Sequence, residues 1–457
     1  MTRSARTVLV SGAGIAGPTL AHWLGRHGFE VTVVEVAPGP REGGQAVDFR
    51  GETHFTVLER TGVLDRLRAV ETGGSPMRFV DERGRELLHL PAEFAGGDIE
   101  VLRGDLARVL YEHSLPYADY RFGDSITSLR DTGDGVHVTF RHAEPALYDL
   151  VIGADGLHSH VRRLAFGPEE RYVRHLGYCA ATWSLPNHLG LGPGEGSVGL
   201  NGPGRLASVG TDHLRPDRAR AFFVFAAPEP VYDRHDLGRQ KALIAEAFAG
   251  LGWEVPRLLE SLEEAPEVYF DSISRADVDS WSAGRIALVG DAACGATIGG
   301  MGTGTGVVAA YVLAGELAAT PDHRTAFARY EQLIRPYAEG CQKGGDRTGP
   351  FLAPGTRGGL LARNALLRRP RILRWMMEQG RKATNTVALP DYRPAAARPE
   401  AATAPAAVPA AATATATATA PAPAPAMVPA PASATPPAVA TTTSPAAATR
   451  PAGPRSA

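Results

Sequence analysis

The sequence predicts an α/β fold: a Rossmann-like dinucleotide-binding domain, interrupted by an inserted, mostly antiparallel β-sheet domain and closed by C-terminal helices. Three observations carry this. Gly12-Ala13-Gly14-Ile15-Ala16-Gly17 joins a β-rich run, Thr7 to Ser11, to an amphipathic stretch, Pro18 to His27. Far downstream, Arg285-Ile286-Ala287-Leu288-Val289-Gly290-Asp291 ends an apolar strand in an aspartate, and the glycine run Gly299 to Gly306 then leads into a helix. Between them, from Arg171 to Asp277, β-rich and alternating runs dominate, the pattern of strands with one buried face.

The opening unit is βαβ. Leu20, Trp23 and Leu24 share one face of its helix, and Val31 to Glu35 is the β-branched second strand. In the turn, Gly12 permits the sharp reversal, Gly14 lets backbone N–H groups approach a pyrophosphate, and Gly17 lets the helix pack on the strand, with Ala16 in the same turn. Glu35 stands 18 residues after Gly17. A carboxylate there accepts hydrogen bonds from an adenosine ribose and repels a phosphorylated one, which favours FAD or NAD over NADP at this site.

Met77 to Asp81 and Arg85 to Leu90 flank Glu82-Arg83-Gly84 as a hairpin. Arg103 opens an amphipathic helix whose Leu106, Val109 and Leu110 face inward, and Tyr120 to Leu129, Val136 to Arg141 and Tyr148 to Ile152 read as further strands. The last of these ends in Gly153-Ala154-Asp155-Gly156 before another helix. In the insertion, Gly177 to Leu185, Gly196 to Gly210 and Arg220 to Ala227 are β-rich, followed by a helix from Gly238 to Gly250. The nucleotide domain then resumes at Ile286 to Asp291, and Thr303 to Thr320, Thr325 to Lys343 and Leu360 to Lys382 are helical. The expected divisions are 1–170 and 278–350 for the two parts of the nucleotide domain, 171–277 for a substrate-facing sheet domain, 351–393 for a C-terminal helix and 394–457 for a tail. The tail is Ala/Pro/Thr-rich with almost no large apolar side chain, so it cannot offset a backbone ordering cost of roughly 1–2 kcal/mol per residue and is expected to be disordered.

Composition narrows the partners. A chain of 457 residues with 44% hydrophobic content buries a large core, and a formal charge of -2 argues against nucleic acid, whose phosphates want a basic surface. Cys179, Cys294 and Cys341 give neither a disulfide framework nor a metal-ligand pattern, so no metal and a reducing cytoplasm are expected. The basic opening Met1 to Arg6 is followed by too short an apolar run for a signal peptide. Val307 to Ala319, interrupted by Gly315 and Glu316, falls short of the roughly 20 residues of a membrane span.

With these elements in this order, the chain resembles the class A flavin-dependent monooxygenases of the para-hydroxybenzoate hydroxylase fold, near the tetracycline destructases and the hydroxylases that tailor aromatic polyketides. The resemblance covers about residues 7 to 392 and includes Trp281-Ser282-Ala283-Gly284-Arg285 leading into Gly290-Asp291. It implies a GR2-type FAD-binding domain. Gly12, Gly14, Gly17 and Glu35 would serve the ADP half of FAD, Arg103 its phosphate and ribityl region, Asp291 the ribityl chain, and Asp155 contacts to both FAD and NAD(P)H. Asp48, in Gly44-Gln45-Ala46-Val47-Asp48-Phe49, resembles an acid near the flavin in the destructase branch, with inexact spacing. At Gly302 the glycine run enters its helix, whose positive amino end suits the negative charge of a reduced flavin.

The activity so implied uses NADH or NADPH as transient reductant and O2 to hydroxylate a small aromatic, phenolic or polyketide-type compound, by a cytoplasmic monomer or homodimer. A reductase or dehydrogenase on the same fold, a halogenase and a flavin-binding interaction protein are the alternatives; the halogenase lacks support, since Trp183-Ser184-Leu185-Pro186 does not match its tryptophan motif. No general base can be named, His175, Tyr178, His213 and Tyr232 each reading as structural or exposed. The family's usual His or Tyr after Gly-Asp-Ala-Ala is Cys294 here, read as a small buried thiol, and the usual proline before the glycine run is absent. The arginine-rich stretch Arg363 to Lys382 could lie on an anionic membrane, but Pro370 interrupts it, and it is read as a solvated basic face over a packed apolar one.

Overall fold

Strand-forming sequence sorts into two large sheets according to which faces it can bury. The computed structural model describes residues 7–40, 45–192, 194–212, 215–228, 236–297, 301–384 and 387–393. The first sheet has six strands in the order Ser282–Ala283, Ile286–Leu288, Leu150–Gly153, Thr7–Ser11, Glu30–Glu35 and Asp119–Phe122. All its pairings are parallel except the edge pair of Ser282–Ala283 with Ile286–Leu288. Its central strands are continuous apolar runs, because helices cover both faces and no alternation is needed. Val8, Leu9, Val10, Leu150, Val151 and Ile152 are completely buried, as are Leu20, Trp23 and Leu24 of the helix Ala16–Arg26 packed on them.

The second sheet has seven strands, in the order Tyr269–Ala276, Val173–Pro186, Arg218–Ala226, Arg205–Thr211, Ser197–Gly202, Met77–Val80 and Glu86–Leu90. It is antiparallel apart from the pairing of Ser197–Gly202 with Met77–Val80. Alternation decides its two faces. Along Arg218–Ala226, Ala219, Ala221 and Phe223 point into a core shared with Ile244 and Phe248 of the helix Leu237–Phe248 and Leu258 and Leu262 of the helix Val255–Glu264. Arg218, Arg220 and Phe222 point the opposite way, into a cleft.

The fold class is the expected one, and several element boundaries differ for identifiable reasons. The Met77 to Leu90 hairpin adds to the seven-stranded sheet instead of decorating the nucleotide sheet. Tyr120 to Leu129 is two strands in different sheets, Asp119–Phe122 and Ile126–Asp131, parted at Gly123, whose φ is +72°. There the Asp124 carboxylate accepts the N–H groups of Ser125, Arg141, His142 and Ala143 and holds the corner. Gly196 to Gly210 is a hairpin, Ser197–Gly202 and Arg205–Thr211, turned at Gly204. The helix after residue 323 continues through Pro336 and Pro350 to Leu352, and the C-terminal helix is two, Arg357–Leu367 and Pro370–Thr384, with Pro370 at the start of the second, where its missing N–H costs nothing. The amphipathic helix Val255–Glu264 escaped the sequence analysis, although Val255, Leu258 and Leu262 mark its buried side.

All described residues belong to one unit, Met1–Ala397. The tail 394–457, the opening six residues, Gly299, Gly300, His213 and Tyr232 lie outside the described residues. Among those described, no helix is long and apolar enough to cross a membrane, and no group of side chains could hold a metal ion.

Candidate active site

A single cleft of about 2050 Å³ runs from the first glycine turn, past Asp291, to the wall of the seven-stranded sheet. Drug-sized ligands occupy about 300–1,000 Å³, so the space exceeds what one such molecule fills. Gly12, Gly14, Ala16, Glu35, Asp48, Arg103, Asp155, Asp291 and Gly302 all line it. Gly17 does not. It lies beneath, where an added Cβ would fall 1.9 Å from the Gly12 carbonyl oxygen.

The glycine turn follows from local geometry. Gly12 has φ +108°, and a Cβ there would sit 2.6 Å from the Ala154 carbonyl oxygen, so only glycine brings the first strand's end against the Asp155 turn. Gly14 differs: a Cβ there meets nothing within 4 Å and would project into open space. The helix that follows has no side-chain cap and no acid in its first turn, leaving its positive end bare. The second glycine helix, Gly302–Ala319, repeats this arrangement, entered through Met301 in a left-handed conformation with φ +52° and again without side-chain cap or first-turn acid. Both helix starts line the same cleft.

Arg103 and Asp291 face the cleft without a hydrogen-bond or ion-pair partner among the described residues. Arg103, exposed at the start of the helix Arg103–Ser114, makes no side-chain hydrogen bond or ion pair. The Asp291 carboxylate lies against Gly302, where a Cβ would come within 2.8 Å of its oxygen; burial pushes its pKa up, opposed in part by Arg103. Bare helix starts and a free guanidinium suit phosphates, and an unpaired carboxylate suits hydroxyl donors. These residues fit a group that carries both.

The other acids predicted from sequence are already engaged. Glu35 accepts the N–H of Ala13 at 2.8 Å and of Ala37 at 3.0 Å, Asp48 pairs with Arg50, and Asp155 accepts the Val161 N–H at 3.0 Å and the hydroxyl of Ser159, the residue that caps the helix His160–Ala165. Of the possible bases, His175 bonds the Ala227 carbonyl and Tyr178 the Ala353 carbonyl, and neither lines the cleft. Cys294 is buried, its thiol pushed far up by desolvation and by Asp291, which leaves it unreactive.

Three residues that matter to this geometry were missed from sequence. Arg162, fully buried, donates to the carbonyls of Ala292 at 2.9 Å and Leu157 at 2.6 Å, tying the Asp155 turn to the Asp291 turn. His158 sets one ring nitrogen 2.9 Å from Glu169 and the other 3.1 Å from Asp271, linking the nucleotide domain to the second sheet. His54 accepts the Arg50 N–H on Nδ1 and so donates from Nε2 to the Tyr337 hydroxyl at 2.7 Å. Its ring fills the space above Gly304, where a Cβ would come within 2.2 Å, and burial lowers its pKa to about 4, so it is neutral at pH 7. A lone Arg or His in sequence gives no sign of such partners; the spacing of Asp155 and Ser159 in the turn and Arg162 in the helix that follows was the available clue.

Two bare helix starts meeting at one long cleft, with an aspartate at the end of a central strand, define a flavin-nucleotide-binding protein of the Rossmann-like class. A family model described as "FAD binding domain" matches residues 5–174. The uncharacterized protein Rv1260 of Mycobacterium tuberculosis (strain H37Rv) is 44% identical over 342 residues, 73% of this chain and 91% of that protein. A flavin-dependent monooxygenase of Legionella longbeachae (strain NSW150) is 38% identical, covering 74% of this chain and 87% of the relative. The crystal structure of the tetracycline destructase Tet(55) superposes with a TM-score of 0.74 at 35% identity, over 86% of this chain and all of that one. The chain belongs to the FAD-dependent monooxygenases of class A.

Proposed function

We propose that the enzyme uses NADH or NADPH and O2 to hydroxylate an aromatic, phenolic or polyketide-type compound carrying an acidic oxygen. The observation that carries this is the continuity of the cleft from Gly14 and Asp291 to Arg220 and Phe222. Gly12, Gly14, Ala16 and the bare start of the first helix would hold the FAD diphosphate, Glu35 the adenosine ribose, Arg103 a phosphate and Asp291 the ribityl hydroxyls. Asp48, Asp155 and Gly302 would border the remainder, with Gly17 supporting the turn from below. When bound, FAD accepts reducing equivalents and activates O2.

The substrate would lie against the sheet contributed by residues 171–277 and the 77–90 hairpin. That wall and the facing helix His323–Leu352 offer Phe79, Phe222, Phe351 and Leu352 for an apolar ring system. They also carry Arg215, Arg218, Arg220 and Arg347 against only Asp212 and Glu267. Arg218 reaches a neutral hydroxyl, Ser184 at 3.2 Å, and Arg220 is 3.8 Å from Asp212. The excess positive charge favours an anionic or enolic oxygen. Tet(55), a tetracycline destructase, lends support to a polycyclic substrate.

Purified yellow protein, offered phenolic, naphthoic and tetracycline-type compounds, is expected to consume NAD(P)H in step with a product mass gain of one oxygen. Consumption matched only by hydrogen peroxide across the panel would overturn the reading. For the compound hydroxylated, Arg220→Gln is expected to raise KM about 10-fold with little change in kcat, the loss of one charge-assisted hydrogen bond worth roughly 1.5 kcal/mol; an unchanged KM in steady-state kinetics would remove Arg220 from the substrate contact.

A further inference from the structure

Residues 357–384 carry eight basic side chains (Arg357, Arg363, Arg368, Arg369, Arg371, Arg374, Arg381, Lys382) and one acid, Glu378, in a chain whose formal charge is -2. The two helices they form sort most of these charges by position. Arg363 turns inward: it donates to the carbonyls of Phe351 at 2.9 Å and Leu352 at 3.1 Å and to the side-chain oxygen of Asn201 at 2.8 Å, and lies over the Phe79 ring. Arg368 donates to the Leu87 carbonyl at 2.8 Å. With Leu367, Leu373 and Met376 in the apolar cluster beside the sheet, these two arginines fix the helix pair in place. Arg357, Arg369, Arg371 and Arg374 are exposed, and their side chains have no hydrogen bond or ion pair among the described residues.

Large apolar side chains stand among those free cations. Leu361 is 72% exposed, Trp375 61% and Leu366 46%. Together with Leu87, they make four of the eight exposed large hydrophobics among the described residues, so half are gathered on and beside one helix pair. Arg371 lies one helical turn before Trp375, and Arg374 is its neighbour. A packed apolar stripe under a solvated basic face, as expected from sequence, would have turned Leu361, Leu366 and Trp375 inward; here they share the exposed surface with the arginines. Nucleic acid would use the arginines but has no need of exposed leucines, whereas an anionic bilayer uses both, phosphates for the guanidinium groups and the headgroup boundary for tryptophan and leucine.

We propose that the outer surface of the helices Arg357–Leu367 and Pro370–Thr384 docks the enzyme on an anionic phospholipid surface. Arg369, Arg371 and Arg374 pair with lipid phosphates, and Leu361, Leu366 and Trp375 enter the boundary between headgroups and acyl chains. The inner side of the second helix contributes Met376 to the cleft wall, so docking brings the cleft within a helix diameter of the lipid, about 10 Å.

The test is sedimentation of the full-length flavin-loaded protein with sucrose-loaded vesicles of phosphatidylcholine alone or mixed with phosphatidylglycerol. Pelleting with the mixed vesicles only is expected, with affinity falling about 10-fold as salt rises from about 50 to about 300 mM. Arg369→Gln/Arg371→Gln/Arg374→Gln and, separately, Leu361→Ser/Trp375→Ser should each weaken pelleting about 10-fold or more at unchanged Tm and flavin content, because all five side chains are exposed. Equal binding to both vesicle types, or none to either, would overturn the proposal. So would tighter binding to a DNA duplex that ignores Leu361→Ser/Trp375→Ser, pointing to nucleic acid, or a stable dimer dissolved by that variant, pointing to a second copy of the chain.

Discussion

Gly14→Val is expected to give a folded protein without colour. A Cβ at Gly14 meets no atom within 4 Å, so the fold has no steric reason to reject a side chain there. What the side chain does is occupy the cleft beside the bare N–H groups of the first helix, the place proposed for the FAD diphosphate. Crowding a close-packed site by two or three carbons costs about 1–3 kcal/mol, and the phosphate is also held away from its donors, so FAD affinity should fall roughly 100-fold or more. Flavin absorbance per mole of purified protein measures the loss, and the thermal midpoint of the apoprotein is the control. Normal flavin content in Gly14→Val would sink the assignment of this turn. The neighbouring Gly17 makes the contrast, because a Cβ there would overlap the Gly12 carbonyl oxygen and the turn itself would have to break.

Arg162→Met is expected to have the largest effect on stability. The guanidinium is fully buried and supplies donors to the Ala292 and Leu157 carbonyls, with Glu169 3.9 Å away. Methionine fills much of the space but leaves one buried and one half-buried acceptor without their donor, a loss of about 3 kcal/mol, or a Tm lower by roughly 5 °C. Flavin retention should fall as well, because Ala292 adjoins Asp291 and the bond from Arg162 fixes that turn. Arg162→Lys should recover only part of the loss, since an ammonium lacks the planar fork that spans both carbonyls. A Tm for Arg162→Met within about a degree of the parent would show that the two turns are held by something else.

The parts of the site readable from sequence are those set by short-range rules. Gly12, Gly14 and Gly17 are spaced for a strand-to-helix turn, Glu35 ends the next strand at the spacing expected for a ribose ligand, and Asp291 follows a run too apolar to be anything but a central strand. What escaped depends on residues brought together from far along the chain. Arg162 meets Ala292 across 130 positions, His54 meets Tyr337 across 283, and His158 meets Asp271 across 113. The Met77 to Leu90 hairpin was recognised as a hairpin, but the sheet it joins depends on pairing with Ser197–Gly202, which no local pattern announces.

The sequence by itself determined the class of fold, the two glycine turns and the family to which the chain belongs, because strand periodicity, glycine spacing and helix-forming runs are written within a few residues of one another. Only the tertiary structure decided which charges are free and which are tied, setting Arg103 and Asp291 in one cleft and Arg369, Arg371 and Arg374 beside Trp375 with no side-chain partner among the described residues, while holding Arg162 and Arg363 on backbone carbonyls. An arginine's role is fixed by the desolvation and hydrogen-bond partners it meets after folding, and those come from segments the linear order does not place side by side.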